Sequence, residues 1–142
     1  MLKGLNPLLG PDLLRTLRAM GHGDEIAIVD GNYPAETDAR RILRMDGTNA
    51  VEILDAILSV LPVDDFVPEA VFRPAVPGDI KRIEPVHQDF AAVLARYEPK
   101  QKIVALVGQD FYSRVKGCYA IVASGEPRLF GNIIVKKGVI RP

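Results

Sequence analysis

The chain has 142 residues, 48% of them hydrophobic in type, and its 18 lysines and arginines are balanced by 18 aspartates and glutamates. That length and apolar content suit one compact domain, residues 1–142, with a small but real core, while the even charge leaves no basic excess to neutralise a nucleic-acid backbone or an anionic membrane surface. The opening MLKGLNPLLGPDLL is broken by Pro7, Gly10 and Pro11, and no later segment approaches a membrane span, so a cytoplasmic protein with neither nucleic acid nor membrane as partner is expected.

Taken in chain order, helical and strand periodicities alternate. Pro11 stands where a first helical residue is tolerated, Leu13, Leu14, Leu17 and Met20 share one face, and Gly21 stops the helix. Glu25 to Val29 reads as a short buried strand ending on Asp30. Asn49 and Glu52 have the spacing of a capping box, and Val51, Leu54, Ile57 and Leu58 continue on one face towards a stop near Pro62. Ala70 to Phe72 is a weaker strand, followed by the turn residues Pro74, Pro77, Gly78 and Asp79. A helix from Pro85 to Tyr97 precedes a strand from Lys102 to Val107, and a short helix from Asp110 to Lys116 precedes a strand from Cys118 to Ala123. The sequence SGEP then turns the chain, which argues for an antiparallel neighbour, and Asn132 to Val135 begins the last strand. Four or five strands interleaved with helices give an α/β domain, a three-layer α/β/α sandwich around a parallel or mixed sheet. No repeat, low-complexity tract or dividing linker is present.

The stretch GHGDEIAIVDGNYP places His22 and Asp30 at the two ends of one strand. Loops at the carboxyl edge of an α/β sheet are free of packing duty and collect ligands. There a carboxylate can accept hydroxyl hydrogen bonds, and an imidazole can exchange a proton near neutral pH. A strand of five or six residues would hold the two too far apart if both stayed at opposite ends, so Gly21 and Gly23 must fold His22 back over the sheet. The same spacing fits a structural reading in which His22 caps the helix ending at Met20 and Asp30 caps its own turn, and spacing does not choose between them.

Other chemistries find less support. His87, the second histidine, falls on a predicted helix surface, and no clustered third ligand accompanies His22 and Asp24, so no metal is expected. Ser59, Ser113 and Ser124 lack a G-x-S-x-G elbow, no Gly-rich phosphate loop is present, and the single cysteine, Cys118, opens an apolar strand as a buried thiol. Lys136 and Lys137 are expected to face solvent.

Five motifs in register carry a resemblance: G-H-G-D-E at 21–25, D-G-N-Y-P at 30–34, R-M-D-G at 44–47, S-G-E at 124–126 and F-G-N-I-I-V-K-K-G-V at 130–139. Together they resemble the D-ribose pyranase and L-fucose mutarotase family, RbsD/FucU, over essentially the whole chain. Gly23, R-M-D-G and the K-K-G-V tail lean to the fucose branch. The resemblance implies an RbsD-like fold and a cofactor-independent and metal-independent isomerase that interconverts anomers or ring forms of an aldose such as L-fucose. It implies a homo-oligomeric ring, often a decamer, with sites at or near subunit contacts. His22 is then the catalytic acid/base, Asp30 orients the sugar or the imidazole, and Phe130, Gly131 and Asn132 bind substrate, with Gly131 admitting close backbone approach and Asn132 gripping hydroxyls. Hemiacetal opening needs one proton removed from the anomeric hydroxyl and one delivered to the ring oxygen, which suits such residues.

Two positions depart from the family. Phe130 stands where a tyrosine is usual, and Gly108 where an arginine or histidine is. Gln109 or Asp110 is a candidate substitute for the cation, and Tyr112 or Tyr119 for the phenol. The alternative function is therefore a monosaccharide-binding protein that catalyses weakly or not at all.

Overall fold

The computed structural model describes residues 1–142. In chain order it contains α1 (Pro11–Ala19), β1 (Glu25–Val29), α2 (Ala35–Asp38), β2 (Ile42–Met45), α3 (Ala50–Leu58), β3 (Val71–Pro74), α4 (Pro85–Tyr97), β4 (Ile103–Leu106), α5 (Gly108–Lys116), β5 (Ala120–Ser124) and β6 (Ile133–Lys136). The six strands form one sheet in the order β2-β5-β1-β6-β3-β4. β1 runs parallel to β5, β5 to β2 and β3 to β4, whereas β6 lies antiparallel between β1 and β3. The sheet is therefore mixed, with five strands pointing one way and β6 the other.

Strand residues alternate between two buried faces, the pattern required when helices cover both sides. Ile26, Ile28, Val71, Val122, Ile133 and Val135 pack with Leu13 and Leu17 of α1, with α3 and with α4. Ala27, Val29, Phe72, Ile121, Ala123 and Ile134 pack with Ala35 of α2 and with Phe111 and Val115 of α5. The first core holds 24 buried residues and the second 10, so the α1/α3/α4 side carries most of the apolar burial. No helix is long and apolar enough to cross a membrane.

Local signals set most helix ends. Asn49 Oδ1 accepts the Glu52 backbone N–H at 2.9 Å, as its spacing predicts. Lys137 does not face solvent. Its Nζ donates to the carbonyls of Leu17 and Met20, satisfying the end of α1 and leaving His22 no capping role there. Lys136 reaches Glu25 at 3.4 Å. Nor does His87 lie on a helix surface: it is buried in the first turn of α4, where it forms a capping box with Glu84.

Three further expectations change. No sequence pattern announces α2 or β2, because Ala35–Asp38 is a single turn and β2 is an edge strand whose Ile42, Leu43 and Met45 are only half buried. The SGEP turn makes no hairpin: β1 lies between β5 and β6, so the chain crosses the end of β1 before returning antiparallel. α3 stops at Leu58, with further turn hydrogen bonds to Leu61.

The unequal cores yield a stability prediction. Phe90 is fully buried on the α4 side, and Phe90→Ala is expected to lower unfolding free energy by about 3–5 kcal/mol in urea titrations. Exposed Lys100→Ala should stay within about 0.5 kcal/mol. Equal midpoints for the two would contradict this packing.

Candidate functional site

The carboxyl ends of β1, β3 and β4 and the start of β6 meet at one edge of the sheet, because β6 alone runs in the opposite direction. A cleft of about 510 Å³ opens there, lined among others by Asp30, Tyr33, Asp79, Tyr112, Phe130 and Asn132. Its size is that of a small-molecule site, and its lining mixes apolar walls with a few polar groups.

At its base Asp30 and Asn132, both 7% exposed, clasp each other. The Asp30 backbone N–H donates to Asn132 Oδ1 at 2.8 Å, and Asn132 Nδ2 donates to Asp30 Oδ2 at 2.7 Å. Asp30 Oδ1 also accepts the Asn32 N–H at 2.9 Å, closing an Asx turn. A carboxylate offers about four lone-pair sites and a primary amide two donors and two acceptors. Each group therefore keeps hydrogen-bonding capacity beyond this clasp, in an arrangement suited to vicinal hydroxyls.

The segment before Asn132 is held from below. Buried Glu126 takes a bidentate ion pair from Arg128, with Nε to Oε1 at 2.7 Å and Nη2 to Oε2 at 3.0 Å, and Arg128 Nη1 continues to Asp89 at 2.7 Å. The Arg128 guanidinium holds the Glu126 carboxyl below the ordinary carboxylate range despite burial. Gly131 does not line the cleft. A Cβ there would stand 2.6 Å from Glu126 Cγ and 3.0 Å from the Arg128 carbonyl, so the absent side chain makes room for this strap. Phe130 lines the cleft with φ of 61°, the one positive φ outside glycine.

His22 lies at the opposite edge. Five residues of β1 separate it from Asp30, about 16 Å of extended strand, and Gly21 and Gly23 do not fold it back. Gly23 instead donates its N–H to the Lys137 carbonyl at 2.9 Å, and His22 Nε2 meets Asp64 Oδ1 at 3.0 Å. A carboxylate accepts only, so Nε2 carries a proton, and in the neutral ring Nδ1 then keeps the lone pair. Burial raises the Asp64 carboxyl, but the Phe66 N–H and His22 outweigh it and leave it lowered. Phe66, an exposed aromatic, packs at 5.2 Å from the imidazole. Asp64, not Asp30, thus orients His22, a partner 42 residues away that no local spacing announces. Its own position comes from Asp64 N–H to Lys136 O at 3.0 Å and Gln101 Nε2 to Asp64 O at 2.9 Å.

The departures at 108 and 130 leave few substitutes. Gly108 lines the cleft with φ of 44°, a conformation that strains any side chain. Gln109 and Asp110 are absent from the lining, and so is Tyr119, which sits under the Arg41 guanidinium by another groove. Tyr112 does line the cleft, stacked on Tyr33 with ring centroids 5.4 Å apart. Burial pushes the Cys118 thiol up to about 12, with Glu25 adding to the effect, and Ser124 donates its hydroxyl to the Val29 carbonyl at 2.6 Å; neither is a nucleophile. No three histidine, cysteine or acidic side chains are grouped to hold a metal ion.

Residues 3–140 match the RbsD / FucU transport protein family. The chain belongs to it. Among solved structures, the fucose mutarotase from Streptococcus pneumoniae in complex with L-fucose is 41% identical, with a TM-score of 0.91 over 99% of this chain and 100% of that one. FucU from Bifidobacterium longum is 37% identical, with a TM-score of 0.91 over 98% and 100%. RbsD of Bacillus subtilis, complexed with D-ribose, shares the fold at a TM-score of 0.72 and 22% identity, over 99% and 100%. The mixed six-stranded sheet is thus the RbsD/FucU architecture, with the Asp30–Asn132 clasp at its carboxyl edge.

The Glu126 strap generates a pH prediction. Because its folded pKa lies below the unfolded value near 4.5, the unfolded chain binds the proton first on acidification. The stabilisation is complete above that value and is lost as pH falls through the folded pKa. Urea midpoints measured from pH 6 to pH 3 should fall more steeply for the native protein than for Glu126→Gln; parallel slopes would contradict the strap.

Proposed function

We propose that the protein is a cytoplasmic, ring-forming mutarotase that interconverts the anomers of L-fucose or a related aldose, an isomerase needing neither cofactor nor metal. The observation that carries this reading is the match, across nearly the whole chain, to a fucose mutarotase solved with L-fucose. The site geometry supports it. Asp30 and Asn132 present carboxylate and amide to sugar hydroxyls inside a cleft with an aromatic wall, and Phe130 supplies an apolar contact.

In this mechanism the Nδ1 of neutral His22 takes the anomeric hydroxyl proton, the bond from the anomeric carbon to the ring oxygen breaks, and the imidazolium returns the proton to that oxygen. The open-chain aldehyde rotates, the hydroxyl re-adds to its other face, and the proton returns. No electrons leave the sugar. The imidazolium formed in passing is stabilised by Asp64, which also fixes the ring's orientation. Tyr112 is the phenol nearest in role to the tyrosine that Phe130 replaces.

His22 and Asp30 occupy opposite edges of one chain, so the complete site joins the His22 edge of one copy to the cleft of a neighbour. Such a head-to-tail contact is heterologous and closes into a ring. Exposed apolar residues on both edges support it: Phe66 by His22, and Ile80, Leu129 and Tyr112 by the cleft.

A second reading, a sugar-binding protein without catalysis, is favoured by Phe130 and Gly108 standing where the family has a phenol and a cation. Exchange NMR of L-fucose anomers separates the two. The mutarotase should exchange them well above buffer, with a mass several times 15.5 kDa in light scattering. Binding without exchange would establish the second reading. His22→Ala should lower turnover by about a hundredfold or more with little change in KM, whereas Asn132→Ala should mainly raise KM.

Mixing tests the shared site. In rings reassembled from equal amounts of His22→Ala and Asp30→Ala chains, about a quarter of contacts carry both native groups, so activity should recover to about a quarter of native. No recovery from well-formed mixed rings would place both groups in one chain.

A further inference from the structure

His87 has no part in the proton transfers above, yet it is 2% exposed and joins the first turn of α4 to the cleft. Its Nδ1 accepts the Glu84 backbone N–H at 3.1 Å, and its Nε2 lies 3.1 Å from the Phe130 carbonyl. An N–H can only donate and a carbonyl only accept, so both contacts are made by one species alone: the neutral ring with its proton on Nε2. Burial, reinforced by the Arg73 guanidinium and opposed by the Phe130 carbonyl and the Glu84 carboxylate, lowers the His87 pKa and keeps the ring neutral.

The carbonyl it holds belongs to the residue with the strained backbone. A left-handed conformation is unfavourable for a non-glycine residue and persists only where its surroundings over-determine it. Phe130, with φ of 61°, is fixed on one side by the Glu126–Arg128 strap and on the other by β6, whose ladder begins at Ile133. His87 supplies the third anchor at the tip, two residues before Asn132. A capping box alone needs only a glutamate or glutamine at this position; histidine adds a second nitrogen that reaches a loop 43 residues away.

We propose that His87 is a positioning residue for substrate binding: by donating Nε2–H to the Phe130 carbonyl, it holds the turn that sets the Asn132 amide against Asp30 in the cleft. The role deepens the mutarotase reading and rests on it for the identity of the sugar.

Selective ¹⁵N labelling of the assembled protein tests it. The native ring should be the neutral Nε2–H tautomer with a slowly exchanging proton. In folded His87→Ala the Asn132 side-chain amide resonances should shift without any sugar present. The KM for L-fucose anomer exchange should rise by about tenfold, the size of a lost ground-state hydrogen bond, with kcat nearly unchanged. His87→Gln, whose amide can donate to Phe130 and accept from Glu84, should restore both. An Nδ1–H ring, or unshifted Asn132 resonances in folded His87→Ala, overturns the proposal. If His87→Ala does not fold, the native tautomer decides together with His87→Gln: native Asn132 resonances in that variant support the role, and displaced ones overturn it. Should the native protein exchange no fucose anomers, the mutarotase reading fails, while the Asn132 resonances still judge His87.

Discussion

The reciprocal hydrogen bonds between Asp30 and Asn132 join the end of β1 to the start of β6, and the cleft is built around that join. A buried carboxylate left without partners costs far more than a typical hydrogen bond contributes, so Asp30 is tolerable at the core boundary only because Asn32 and Asn132 satisfy it. Asn132 reaches it only because β6 runs antiparallel to its neighbours and starts where β1 ends. The Glu126 strap, the left-handed Phe130 and the side-chain-free Gly131 all serve to bring the chain back to that starting point.

The opposite edge follows a different logic. His22 is half exposed, and its one fixed partner, Asp64, is buried and held by backbone contacts from β6 and by Gln101. The imidazole so oriented uses Nε2 in this contact and packs beside Phe66. The cleft edge is concave and ringed by exposed apolar residues. In the proposed mechanism the two surfaces are complementary in kind, one carrying the proton-transfer group and the other receiving the sugar. The proposed head-to-tail ring uses both and gives the exposed apolar side chains at each edge something to cover.

Elements with strong local signals were legible in the chain. Pro11 and the leucine spacing marked α1, Asn49 with Glu52 marked the start of α3, and the unbroken apolar run marked β1 with Asp30 at its end. Edge strand β2 was not, because half-buried Ile42 and Leu43 beside two arginines show neither a continuous run nor clean alternation. SGEP looked like a hairpin turn because turn chemistry is local, while the insertion of β1 between β5 and β6 depends on pairings about a hundred residues apart. His87 and Lys137 looked solvent-exposed for the same reason. Their burial follows from the distant groups they satisfy: the Phe130 carbonyl for one, and the last carbonyls of α1 for the other.

By itself, then, the sequence determined the α/β class, most helix boundaries, the placement of Asp30 at a strand end and, through five motifs in register, the likeness to the RbsD/FucU family. These are properties of short windows, set by periodicity, capping and turn chemistry. Tertiary structure alone decided that Asp64 rather than Asp30 meets His22, that Asn132 locks onto Asp30, and that Gly131 makes room for Glu126. Each of these depends on which strands become neighbours and in which direction. That choice is made by the summed burial of two cores across the whole sheet, and no segment of the chain records it on its own.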